Sequence, residues 1–295
     1  MSKPPSLGLP PTVRAYRLPT VRGEFAVHDA GEPRLGTALL VPGFTGSKED
    51  FLALLDPLAG LGYRVVAADG RGQYETGGPR EESAYAQPEL ARDVLALTAA
   101  LREDGAPGIH LLGHSLGGLV ARAAVMQDDS PFLSLTLMSS GPAAVSASQQ
   151  HRLKMLLGAL GVMEMEEIWL AMCELDPVEA ADEETPPEVA AFLHRRWMAN
   201  VPEQLSATAQ QLLGEPDRID ELTAALSRRA EPLPVHVLSG SEDYAWPVPL
   251  LDETAVRLGA ARTVVDGAGH SPNAERPAET ARALASFWDG SGVSR

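Results

Sequence analysis

The chain has 295 residues, 44% of them apolar and 22% charged, which is enough to bury a large core without staples and excludes disorder or a collagen-like repeat. Forty acidic against 24 basic side chains give a formal charge of -16, a field that repels phosphate backbones and anionic lipid surfaces, so neither nucleic acid nor a membrane is expected as a partner. The single Cys173 excludes an internal disulfide, and no pair of cysteines offers metal-ligand spacing.

Residues 1–14 hold four prolines and no apolar run of signal-peptide length, and no stretch of 18 uninterrupted apolar residues follows, so the expected location is cytoplasmic. Residues 14–18 and 23–28 read as an opening hairpin, and the apolar run 37–41 as a strand stopped by Pro42-Gly43. Ser47-Lys48-Glu49-Asp50 resembles a variant capping box ahead of a helix carrying Phe51, Leu54, Leu55 and Leu58. A β-branched strand at 64–68 ends in Asp69-Gly70, and the helix after Pro88 sets Leu90, Val94, Leu97 and Leu101 on one face. A buried strand at 109–112, a helix at 116–127 and a strand at 132–138 follow. Buried strands alternating with helices predict an α/β fold, a mostly parallel central sheet flanked by helices.

After Gly141-Pro142 the rhythm breaks. Residues 142–232 show no convincing strand, only helical stretches punctuated by Pro177, Pro186, Pro187, Pro202 and Pro216. Alternation resumes at 235–239, 247–258, 262–265 and 276–288. The expected organisation is therefore a core of residues 1–141 and 233–295 with an inserted helical cap, or lid, at 142–232. The cap holds 16 acids and 7 bases, and residues 174–188 alone carry seven acids and no base. That stretch reads as a solvated, mobile loop, with repulsion of anionic substrates as the functional alternative.

Gly113-His114-Ser115-Leu116-Gly117 is a G-x-S-x-G sequence lying directly between a buried strand and a helix. A serine on so tight a turn adopts an unfavourable backbone conformation, and glycines on either side leave it room. The turn also sets Ser115 at a helix N-terminus, where free N–H groups favour developing negative charge. A serine hydroxyl needs a base, and the base needs a carboxylate to fix its tautomer. Of the seven histidines, His28, His110 and His236 lie on or beside strands, His151 and His194 lie in cap helices, and His114 points elsewhere on the turn. His270 sits in the glycine-rich loop Asp266-Gly267-Ala268-Gly269-His270-Ser271-Pro272 after the last strand, at the same end of the sheet as Ser115. Asp243, in Gly240-Ser241-Glu242-Asp243, opens toward the same edge; Glu242 and Asp266 are the rival acids.

The order Ser115, Asp243, His270 and the motifs at 113–117, 240–247 and 267–277 resemble the α/β-hydrolase family, of the lid-bearing esterase and lipase-like kind. The resemblance covers nearly the whole chain. It aligns Asp243 with the triad acid and implies an oxyanion hole from the backbone N–H groups of Phe44 and Leu116. It also implies acyl transfer through an acyl-enzyme, and hydrolysis of a carboxylic ester with a small or medium apolar acyl group is the expected reaction. Two departures stand out: Pro42-Gly43 replaces the family's His-Gly, and in 69–76 Tyr74 and Thr76 replace the Gly and Ser of D-x-R-G-x-G-x-S, which questions the shape of that loop.

Thr45, His114, Tyr74, Trp169 and Trp246 are the candidate pocket residues, and the cap methionines Met155, Met163, Met165, Met172 and Met198 suit an adaptable apolar acyl site. No cofactor and no metal are expected: Gly43-Phe44-Thr45-Gly46-Ser47-Lys48 lacks phosphate-loop spacing, and no H-E-x-x-H occurs. Ser rather than Asp at 115 argues against dehalogenase or epoxide hydrolase chemistry. Thioesterase, perhydrolase, amidase or carbon-carbon bond hydrolase activity stays open, as does a non-catalytic ligand sensor. Nothing in the pattern specifies an oligomeric state.

Overall fold

The computed structural model describes residues 2–175 and 184–291. Eight strands form one sheet: β1 (Val13–Thr20), β2 (Gly23–Ala30), β3 (Gly36–Val41), β4 (Tyr63–Ala68), β5 (Ile109–His114), β6 (Phe132–Met138), β7 (Val235–Gly240) and β8 (Ala261–Val265). Their order is β1-β2-β4-β3-β5-β6-β7-β8; β2 runs antiparallel to both neighbours, and every pairing from β4 onward is parallel.

Alternation along the strands divides the core in two. Leu39, Val66, Leu111 and Leu137 point to the face covered by α2 (Gln87–Glu103) and α3 (Leu116–Gln127), meeting Val94, Leu97 and Val120. Their neighbours Leu40, Val65 and Leu112 point to the face covered by α1 (Leu52–Gly60) and α11 (Pro277–Ser291), meeting Leu54, Leu58, Leu284 and Trp288. Both faces are buried, which is why the strands read as continuous apolar runs. At Ser47 the capping arm that forms is the Asp50 carboxylate accepting the Ser47 N–H at 3.3 Å, and it opens a single 3₁₀ turn, Lys48–Phe51, that leads into α1.

Between β6 and β7 the described residues contain helices only: α4 (Ala147–Leu160), α5 (Met165–Leu175), α6 (Pro187–Ala199), α7 (Pro202–Gly214) and α8 (Ile219–Leu226). Pro187 and Pro202 are the first residues of α6 and α7, so they start helices where the missing N–H costs nothing. Residues 176–183, most of the acidic stretch, lie outside the described residues, and Glu188 already belongs to α6. The insertion is pinned to α3 by a buried pair: Arg122 Nη2 meets Glu215 Oε1 at 2.5 Å while its Nη1 donates to the Pro142 carbonyl at 2.8 Å. After β7 come α9 (Val248–Leu258) and, before α11, the short α10 (Pro272–Glu275). Among the described residues no helix is long and apolar enough to cross a membrane.

Candidate active site

Because β3, β5, β7 and β8 are parallel, their C-terminal ends share one edge of the sheet, and the loops leaving them carry Phe44, Ser115, Asp243 and His270. Ser115 joins β5 to α3 at φ 55° and ψ -120°, a conformation that L side chains rarely adopt. The flanking glycines are required by contact: a Cβ on Gly113 would lie 2.1 Å from the Gly117 carbonyl oxygen, and one on Gly117 would lie 2.4 Å from that of Val41. The Ser115 N–H, donated to the Met138 carbonyl at 2.9 Å, ties the turn to β6.

His270 Nδ1 donates to Asp243 Oδ1 at 3.0 Å, and its Nε2 faces Ser115 Oγ at 3.0 Å. With the proton held on Nδ1 by the carboxylate, Nε2 is left bare to accept the serine proton. Asp243 Oδ1 also accepts the N–H groups of Ala245 (2.9 Å) and Trp246 (3.3 Å). Burial pushes the Asp243 carboxyl up, but His270, the nearby Ser139 hydroxyl and the Trp246 N–H more than offset it, holding the group below the ordinary Asp value. Glu242 and Asp266 are exposed, so of the three candidate acids only Asp243 reaches the imidazole.

Three side chains fix this geometry that the sequence did not single out for the purpose. Glu275 accepts the N–H groups on either side of the histidine, Gly269 at 2.6 Å and Ser271 at 2.9 Å. His114, a candidate pocket residue, lies within the cavity wall and donates Nε2–H to the His270 carbonyl at 2.8 Å; burial, helped by neighbouring His270, pushes it down to about 3, so it stays neutral. Gln73 donates to the Gly43 carbonyl at 2.8 Å and so steadies the turn that bears Phe44. Short spacing along the chain hints at Glu275; no local signal marks Gln73.

That turn lies against the nucleophile, since a Cβ on Gly43 would approach Ser115 Cβ to 3.0 Å. Leu116 opens α3, so its N–H has no carbonyl one turn back within the helix to bond. Thr45, at φ 58°, lines the space in front of Ser115. That space is a cavity of about 80 Å³ bounded by Ser115, His270, His114 and Tyr244. Phe44, Thr45, Gln149 and Leu153 also wall an adjoining chamber of about 280 Å³, whose lining is otherwise mostly apolar and includes Met155, Leu156, Met163, Ile168 and Met172.

Three candidate pocket residues line neither cavity. Trp246 is fully buried and donates Nε1–H to the Ala143 carbonyl at 2.8 Å, anchoring the start of the insertion, with its ring 6.2 Å from that of His270. Trp169 packs among Val189, Phe192 and Leu193; its neighbours Ile168 and Trp197 face the chamber instead. Tyr74 is held edge-on against Phe192 at 5.6 Å, with the buried Lys48 ammonium 4.9 Å above its ring. Lys48 in turn meets Asp69 at 3.3 Å and Glu75 at 2.6 Å. The loop reaches φ 40° at Tyr74, where the resembled family has Gly, so Phe192 and Lys48 hold a turn that glycine takes without strain. Met165 packs beside Trp197 rather than on the chamber, and Met198 is exposed. Among the described residues no group of His, Cys, Asp and Glu is placed to hold a metal.

Known proteins place this arrangement in context. The chain is 32% identical over 177 residues to a protein named for carbamate hydrolysis from Variovorax paradoxus, a match covering 57% of this chain and 64% of that one, just under two thirds of its length. It is 27% identical over 304 residues to epoxide hydrolase A of Mycobacterium tuberculosis, covering 90% and 94% of the two chains. Its fold is similar to that of an esterase from Thermogutta terrifontis, with a TM-score of 0.73, 22% identity, and coverage of 95% of this chain and 100% of the other. The sequence model of the alpha/beta hydrolase family matches residues 38–283, and the chain belongs to that family.

Proposed function

We propose that the protein is a serine hydrolase that cleaves carboxylic esters bearing a small or medium apolar acyl group. The observation that carries the reading is the run Ser115 Oγ, His270 Nε2 and Nδ1, Asp243 Oδ1, with 3.0 Å at each step. In it, Ser115 Oγ attacks the ester carbonyl while its proton passes to His270 Nε2. The carbonyl oxygen becomes an oxyanion facing the N–H groups of Phe44 and Leu116. Collapse of the tetrahedral species breaks the C–O bond, and the alkoxide leaves with the proton from His270. Water, deprotonated by the same imidazole, then attacks the acyl-enzyme and frees the acid and Ser115. Asp243 stays ionised throughout and steadies the imidazolium.

In the same reading the insertion, residues 142–232, acts as a lid, and the apolar chamber beneath α4 and α5 receives the acyl chain. A small-molecule ester is then the partner, and the cytoplasm, on the sequence composition alone, its place of action. The serine at 115 weighs against epoxide opening through an ester to a protein carboxylate, despite the epoxide hydrolase relative. Carbamate or amide hydrolysis is the second reading, favoured by the relative named for carbamates. A panel of p-nitrophenyl esters of rising acyl length, assayed beside carbamate and anilide analogues, tests it. Turnover confined to the carbamate or anilide would replace the ester reading. Absence of fluorophosphonate labelling of folded protein would favour a ligand sensor instead.

A further inference from the structure

Residues 2–10 run without regular secondary structure from the rim of the site to the start of β1. Ser2 is buried and lines the same cavity as Ser115 and His270. Its carbonyl accepts Nη2–H of Arg196 at 2.9 Å, and Arg196, itself fully buried on α6, is paired through Nη1 with Asp50 Oδ1 at 2.6 Å. Two further fastenings tie the segment to the insertion. Lys3 Nζ donates to Thr185 Oγ1 at 3.3 Å, and Leu7 packs against the cluster of Ile168, Phe192 and Trp197. Pro4 and Pro5 restrict the chain between these points, and Pro10 and Pro11 restrict it between Leu7 and β1.

We propose that residues 2–8 form a specificity-determining wall of the substrate site, which restricts the group carried on the side of the cavity away from the apolar chamber. The placement follows from the two cavities. The chamber is reached across Phe44, Thr45, Gln149 and Leu153 and takes the acyl chain; Ser2 bounds the smaller cavity and not the chamber, together with Asp50 and Ser271. The remaining space beside Ser115 is the part left for the alcohol of an ester, and the Ser2 peptide stands in it. A small alcohol fits with the wall seated, whereas a bulky one requires it to withdraw. This assignment rests on the serine hydrolase reading above.

The test is covalent labelling of Ser115 by two fluorophosphonates with the same alkyl chain, one carrying a methoxy and one a bulky aryl-alkoxy group, followed by intact-protein mass. Wild type, a chain with residues 2–8 deleted, Leu7→Asp, which removes the apolar fastening of the segment without shortening the chain, and Ser2→Trp, which thickens the wall, are compared. The aryl-to-methyl rate ratio rises about tenfold or more in the first two variants and falls in Ser2→Trp, the scale of a steric change in a pocket. A synthetic peptide of residues 2–10 added to the deleted chain brings the ratio back toward wild type. An unchanged ratio in folded Leu7→Asp and Ser2→Trp overturns the wall while leaving the nucleophile in place. Failure of both probes to label any folded variant overturns the underlying serine reading, and the wall with it.

Discussion

At the rim of the sheet, position is set by backbone: Gly113 and Gly117 admit no Cβ, Ser115 is driven to φ 55°, and the His270 loop packs so closely on β7 that a Cβ at Gly240 would lie 2.2 Å from the Ala268 carbonyl oxygen. In the insertion, position is set by side chains: the chamber is shaped by Leu153, Leu156 and Met172 leaning from α4 and α5 and by Met163 in the turn between them, with Met155 half-exposed and Leu175 mostly exposed to solvent. The first kind of construction leaves no room for a side chain at its glycines and fixes the path of the backbone. The second accepts many substitutions, each changing what fits. A rigid rim under an adaptable roof is the division of labour expected of a site with fixed chemistry and adjustable substrate choice.

The sharpest way to break the comparison is at the rim. Ser115→Ala should lower kcat by about 10⁴-fold or more with the thermal midpoint retained, since the alanine loses only a hydroxyl; near-wild-type turnover would remove the rim from the chemistry. Asp243→Asn should cost about 10⁴-fold as well, because an amide no longer holds the imidazole in the tautomer that leaves Nε2 bare.

The core below the rim should declare itself through pH. Burial pushes His110 down to about 4, and His236 down to about 4 with Arg262 adding to the effect. Between the ordinary histidine value near 6.5 and about 4 the unfolded chain binds protons that the folded one refuses. The contribution of these two histidines to stability is therefore fully present above about pH 6.5 and is lost as pH falls through that window, by on the order of 3 kcal/mol for each. His110→Gln, which keeps a hydrogen-bonding group near Ser134, should flatten the dependence of the urea midpoint on pH by about one proton. An unchanged slope would mean that His110 titrates normally.

Much of this architecture was legible because its causes are local. The strands show as unbroken apolar runs since both faces of the sheet are covered, and α2 shows through the spacing of Leu90, Val94, Leu97 and Leu101. Ser115, Asp243 and His270 lie together because parallel strands deliver successive loops to one edge, although the resemblance, not the chain order, separated Asp243 from Glu242. What escaped depends on distant partners. Gln73 acts on Gly43 across 30 residues, and the side of α5 that faces the chamber is decided by packing, so Ile168 lines it and Trp169 does not. Proline marks helix boundaries within the insertion, since Pro187 and Pro202 open α6 and α7 there.

A smaller effect sharpens the rim further. Gln73→Leu removes the donor to the Gly43 carbonyl and leaves the turn bearing Phe44 free to shift. The expected loss is about 10- to 100-fold in kcat, with KM little changed, because the interaction supports the developing oxyanion rather than substrate binding. A rise in KM alone would assign Gln73 to the pocket instead.

The smallest effect tests the roof. Ala159 lies on α4 with its side chain on the chamber, and phenylalanine there fills space without removing any contact at the rim. Ala159→Phe should therefore leave hydrolysis of an acetate ester within about threefold of wild type and lower kcat/KM for an octanoate by about tenfold, the scale of a few methylenes refused by an apolar pocket. Trp169→Phe, one turn of packing away and facing Val189 and Leu193, should leave the chain-length preference unchanged even if it lowers the thermal midpoint. If the two substitutions exchange these effects, the acyl chain lies on the other side of α5, and the chamber beside Ser115 serves some purpose other than chain length.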